Sequence, residues 1–165
     1  ITFKLMVSNI EKYKKTLDLL INDGDTLLLA IDFECHPEEF EKLLKKIPKR
    51  KVFKFKKNIP SFKERYQSWY SESFAIIKLL LPDRLDDFIK LYEKQKGRKE
   101  ITYGSYVIED YLQGLTVTRG WQKERVVGPD AAIQQFRQQL NILKSVKRRF
   151  ESSLFDIKQL VQADL

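Results

Sequence analysis

Cysteine and histidine are nearly missing from this chain: Cys35 and His36 are the one of each among 165 residues. A single thiol excludes an internal disulfide and suits a reducing compartment, so a cytoplasmic location is expected. One imidazole and one thiol leave no His/Cys set with the spacing of a metal site, and no metal or cofactor is assigned. The six glycines are scattered and never form GxxxxGK, which excludes a P-loop. No apolar run approaches the roughly 18 residues of a membrane span, and no membrane partner is expected. Ile1 to Val7 is too short for a signal peptide and runs into charged sequence. What is present is ample for a core: 42% hydrophobic and 33% charged residues in 19.6 kDa describe one folded domain, with or without an extension.

The charge is local. Lysine and arginine number 31 against 23 aspartates and glutamates, a net +8. The window Lys45 to Arg65 holds ten of the bases and one acid, Glu64, so the remaining chain is close to neutral. The densest part, KRKVFKFKK, sets Phe53 and Phe55 among Lys49, Arg50, Lys51, Lys54, Lys56 and Lys57. Such a strip attracts phosphate through counterion release, and interleaved aromatics can stack on unpaired bases. The reading favoured on sequence alone is a solvated connector that tucks its phenylalanines inward, since most charge runs are merely solvated. Those six cations are the candidate RNA or DNA contact.

Helical periodicity dominates the rest. Ser8 and Glu11 have the spacing of a capping box, followed by Ile10, Tyr13, Leu17, Leu20 and Ile21, with a stop expected at Asn22-Asp23-Gly24. Asp25 then caps a second helix through Phe33, and His36-Pro37-Glu38-Glu39 opens a third. Pro48 ends it, and the strip that follows alternates enough to be extended. Ser61 and Glu64 form a second capping box before a strong stripe of Phe62, Tyr66, Trp69, Tyr70, Phe74, Ile77 and Leu81. Pro82 breaks that helix and Asp83 caps a short one. Tyr103 to Leu112 reads as one more, with Gly114 as its left-handed stop. Residues 115–127 favour strand at Val117 and Val126, so a small β-hairpin or an irregular loop fits there. Pro129 opens the last helix.

In that last helix Ile133, Phe136, Leu140, Leu143, Phe150, Leu154, Ile157 and Val161 recur in alternating steps of three and four, with Lys147 the one polar member. This is a heptad seam that pairs with a helix folded back from this chain or from a second copy; it reads equally as a long central helix whose stripe is covered by the preceding short helices. Phe136, Leu140, Leu143, Phe150, Leu154 and Ile157 are its packing residues. The fold expected is therefore all-α: a bundle of short helices in residues 1–130, containing the basic connector 45–65, and one long helix over 131–165. The chain starts at Ile1 and stops at Leu165 inside helical sequence, which reads as a piece of a longer protein with a further domain to follow.

Catalytic patterns are weak. Cys35 and His36 are adjacent, and neighbours diverge rather than converge as nucleophile and base. Asp32, His36 and the nearby Glu34 and Glu39 lack a second His or Cys for a metal. Asp86-Asp87 and Glu109-Asp110 splay apart on a helix. A PD-(D/E)xK nuclease assembled from Asp83 or Asp130 with Asp156 and Lys158 needs acids and lysine on adjoining strands around Mg²⁺, whereas these lie on helices. Trp121, in the irregular region, is a candidate contact. No catalytic residue is assigned.

Four stretches carry a resemblance: YQSWYSES from Tyr66, LLPDRLDDF from Leu80, YVIEDYLQGLTVTRG from Tyr106 and LNILKSVKRRFESSLFDIKQLVQADL from Leu140. Over about two thirds of its length the chain resembles uncharacterised bacterial proteins of restriction and anti-phage gene neighbourhoods. The resemblance implies that longer members continue into a helical HEPN-like domain bearing an Arg-x4-His ribonuclease motif. That motif cannot form here, because the first arginine, Arg50, follows the only histidine. The expected function is a non-catalytic assembly module of a larger bacterial protein in phage defence, with a nucleic-acid-contacting strip. The alternative is part of a nuclease whose active site lies beyond residue 165.

Overall fold

A computed structural model describes residues 2–164. Ile1 and Leu165, where the chain reads as cut, lie outside the described residues. The chain is 71% helical, with a long C-terminal helix and a two-stranded antiparallel hairpin, so the all-α class with a small hairpin holds.

Helix α1 runs unbroken over Thr2–Cys35. Three expectations are corrected here. Ser8 does not start the helix, since helical backbone already precedes it. Nor do Asn22-Asp23-Gly24 end it. A glycine costs a helix interior about 1 kcal/mol, but a Cβ on Gly24 would meet Leu140 Cδ1 at 2.5 Å and the Trp69 ring at 3.3 Å. Gly24 is the notch where three helices close up. Asp25 does not cap; it reaches Lys144 at 2.9 Å.

Two short helices follow, α2 (Pro37–Leu44) and α3 (Lys49–Asn58). The strip 45–65 is thus not extended, because Val52, Phe55 and Ile59 repeat at helical spacing and turn one face inward. Helix α4 (Phe62–Leu80) buries Phe62, Tyr66, Trp69, Ser73, Ile76 and Ile77. Its boundaries match the capping-box reading, but the cap is different. Ser61 makes no side-chain cap bond; the Phe62 N–H donates instead to Glu34 Oε1 of α1 at 2.8 Å. A 3-10 turn at Pro82–Arg84 leads into α5 (Leu85–Ile89).

Only Ile108–Leu112 of the helix expected from Tyr103 is α-helical, as α6. The Thr102 and Ser105 side chains hydrogen-bond the local backbone and bend residues 101–107 into turns. Gly114 has φ +71° and serves as the stop foreseen. Strands β1 (Val117–Arg119) and β2 (Glu124–Val127) pair antiparallel with a register shift between Val117 and Thr118.

Helix α7 (Ala131–Ala163) closes the fold, packing against α1, α4 and α6. The core lies between α1, α4 and α7, where Phe62, Tyr66, Trp69 and Phe136 form an aromatic cluster with ring centroids 4.9–6.1 Å apart. Three of its polar side chains are paired there: Tyr66 donates to Gln139 Oε1 at 2.8 Å, Gln139 Nε2 to the Phe88 carbonyl at 3.0 Å, and Trp69 Nε1 to the Leu20 carbonyl at 2.8 Å, whereas the buried Ser73 hydroxyl has no partner. These bonds fix the rotation of α4 and α7 about their axes.

Candidate functional site

Two surfaces stand out, one on α3 and one where α1 and α7 leave the core together. Helix α3 gathers all six candidate cations onto ten residues, and Lys49, Arg50, Lys51, Lys54, Lys56 and Lys57 are all exposed. Lys56 pairs with Glu41 at 2.5 Å, and the other five have no carboxylate partner among the described residues. The two phenylalanines part company. Phe55 turns inward, edge-on to Phe33 of α1 at 5.9 Å and stacked on Phe40 of α2 at 6.4 Å. Phe53 points to solvent and is 71% exposed. Thr26, Leu29, Phe55 and Ile59 line an apolar groove of about 450 Å³ beside α3, rimmed by Lys51 and Lys54.

The heptad seam of α7 is divided. Phe136, Leu140 and Leu143 are buried against α1 and α4, and Phe150 is half-buried. The mate along the core is therefore α1, folded back antiparallel: Asp25 pairs with Lys144, and Asp18 with Lys147 at 2.5 Å. Lys147, the polar seam member, has its pKa raised by its hydrogen bond to Asp18. Beyond Lys147 the two helices project past the core. Leu154 is half-buried, whereas Ile157, Val161 and the off-seam Phe155 and Leu160 are exposed. On α1, Leu5, Met6 and Val7 are exposed opposite them. Met6, Val7 and Ile10 with Leu154, Ile157 and Val161 line an open groove of about 340 Å³, rimmed by Glu11, Lys14 and Lys158. The expected stop at Asn22-Asp23-Gly24 hid α1 as the mate by splitting one long helix in two, although Met6, Ile10, Tyr13 and Leu17 carry the required spacing.

The remaining candidates stay apart or are satisfied. Asp83 pairs with Arg149 at 3.0 Å, and Asp130 pairs with Arg125. Asp156 and Lys158 lie on the projecting part of α7, so no nuclease constellation assembles from them. His36 Nδ1 sits 2.9 Å from Asp32 Oδ1 and makes no cap bond to α2. Burial pushes the Cys35 thiol up to about 11, against a lowering contact from Tyr111, so the thiolate nucleophile is scarce at neutral pH. Trp121, fully exposed, occupies the turn of the β-hairpin.

Among the described residues no helix is long and apolar enough to cross a membrane. The arrangement is a three-helix core with a basic helix on its side and a greasy helix pair at one end. Compared with protein-family models, with curated proteins and with solved structures, the chain matches none.

Proposed function

We propose that this chain is a non-catalytic helical assembly module that dimerises through the projecting ends of α1 and α7. One observation carries the reading: the open apolar groove between Met6, Val7 and Ile10 on one side and Leu154, Ile157 and Val161 on the other. Two antiparallel helices bury one stripe each and leave the edges of that stripe wet. A second pair laid across them completes a four-helix arrangement. The rim charges suit a second copy. Glu11 lies on α1 and Lys158 on α7, so a two-fold axis sets each beside its opposite in the partner. The resemblance of four stretches to proteins of anti-phage gene neighbourhoods supports placing the module inside a larger bacterial defence protein.

Light scattering over a concentration series tests the dimer. The intact chain is expected to approach twice its 19.6 kDa mass. Val7→Asp together with Ile157→Asp, both at exposed positions, is expected to remain folded and monomeric. An intact chain that stays monomeric at about 100 μM would rule out the reading, since contacts that weak fall outside stable association.

A further inference from the structure

We infer that α3 is a binding site for single-stranded nucleic acid, with Phe53 as the platform on which an unpaired base stacks. Its starting point is where Phe53 sits. On a helix, residues three and four apart are neighbours with Cβ atoms about 5–6 Å apart. The neighbours of Phe53 are therefore Lys49 and Lys57, a turn before and after, and Arg50 and Lys56, three residues away. An aromatic face 71% open to water lies among four cations, of which Lys56 is paired with Glu41 and the other three have no carboxylate partner among the described residues. A single exposed phenyl ring is ordinary on a protein surface; what distinguishes Phe53 is the cations on both flanking turns. A nucleotide chain uses both parts at once: the base covers the ring, and the flanking phosphates meet the ammonium and guanidinium groups.

The choice of occupant follows from the other face of the helix. A lipid surface would take up an amphipathic helix by its apolar stripe. Here that stripe is already used, because Phe55 is packed against Phe33 and Phe40 of the same chain. One outward phenyl ring is a poor anchor for a bilayer and a sufficient platform for one base. Duplex DNA offers phosphates but no free base face, so the ring would go unused on it. The charge distribution agrees, since the window containing α3 carries all of the excess positive charge. Lys51 and Lys54, on the opposite flank beside the apolar groove, extend the phosphate track. The site is separate from the projecting helix pair, so it does not depend on the dimer.

The test is fluorescence anisotropy with labelled 12-nucleotide oligouridylate, its oligothymidylate counterpart, a duplex of equal length, and vesicles containing phosphatidylserine. Single strands are expected to bind more tightly than the duplex or the vesicles, with affinity falling as salt rises. Phe53→Ala is expected to weaken single-strand binding between about five- and a hundredfold while leaving duplex binding unchanged. Phe53→Trp is expected to restore it, which separates stacking from loss of fold. Charge reversal at Lys49, Arg50 and Lys57 is expected to abolish binding to all nucleic acids. The oligouridylate and oligothymidylate arms decide between RNA and DNA. Equal single-strand affinity in Phe53→Ala and the parent, preference for duplex, or preference for vesicles would each overturn the proposal. The monomeric Val7→Asp/Ile157→Asp variant is expected to retain the parent affinity per chain.

Discussion

Among individual residues, Asp110 does most to hold the loop region to the core. It is the one carboxylate with no exposed surface among the described residues. Arg98 grips it with both guanidinium nitrogens, at 2.7 and 2.8 Å, and also donates to the Ser105 carbonyl at 2.9 Å. The Val107 N–H donates to Asp110 Oδ2 at 2.9 Å, which fixes the first turn of α6. Burial on its own would push the carboxyl pKa up; the Arg98 fork and the Val107 N–H outweigh it and hold Asp110 below the usual carboxylate range. A carboxyl depressed in the fold contributes stability above its unfolded pKa of about 3.9, and loses it as pH falls through the folded value. Arg98→Ala removes the main counter-charge and leaves the buried carboxylate with Lys94 Nζ at 4.0 Å as its remaining cation, at a cost of up to about 3–5 kcal/mol. Thermal unfolding at pH 7 is expected to drop by roughly 10 °C. The gap to the parent should narrow towards pH 4, where the buried carboxyl protonates and no longer needs a cation. A gap unchanged between those pH values would show that Arg98 acts by packing alone.

The elements differ widely in how firmly they are held. Helix α4 buries six residues along nineteen, whereas α3 has none fully buried and rests on α1 through Phe55 and a half-buried Val52. Local opening is cheapest where few apolar contacts are lost. Amide exchange in α3 is therefore expected to run at least a hundredfold faster than at the centre of α4, and Phe55→Ala to speed α3 without altering α4. Equal protection in the two helices would show that α3 opens only when the whole molecule unfolds. The same contrast explains what could be read from the sequence. Helix α4, the hairpin and α7 announce themselves by periodicity, by Val117 and Val126, and by Pro129, all of which act locally. Gly24 does not: its place inside α1 depends on Leu140 and Trp69, brought to it from far along the chain. The basic strip was misread because Phe53 breaks the helical pattern of Val52, Phe55 and Ile59. That ring faces water, so it belongs to the candidate interface rather than to the folding pattern. All six candidate cations were legible as a cluster; that they ring an exposed phenylalanine was not, because it follows from α3 being a helix.

Taken whole, the molecule has two tiers. Its fully buried apolar side chains run from Leu17 to Val146, with none over residues 4–16 or 147–164. Helix α1 is 34 residues long, about 50 Å at 1.5 Å per residue, so roughly its first third projects beyond the core it helps to build. An isolated helix of this length is marginal in water, and a pair sharing one half-wet groove improves on that only modestly. The ends thus contribute little to the fold of one chain and much to any contact between two. These two roles separate in a trimmed chain lacking residues 1–9 and 154–165. Unfolding of the intact protein is expected to shift upward with protein concentration, because a dimer that binds the folded state stabilises it by mass action. The trimmed chain should unfold cooperatively at a midpoint within about 5 °C of the intact chain at its most dilute, and that midpoint should not move with concentration. If trimming abolished cooperative unfolding at every concentration, the projecting pair would be part of the folding core, and its exposed leucines and isoleucine would need an intramolecular explanation. A trimmed chain that kept the concentration shift would place the dimer contact elsewhere, with Trp121 at the hairpin turn the next surface to alter.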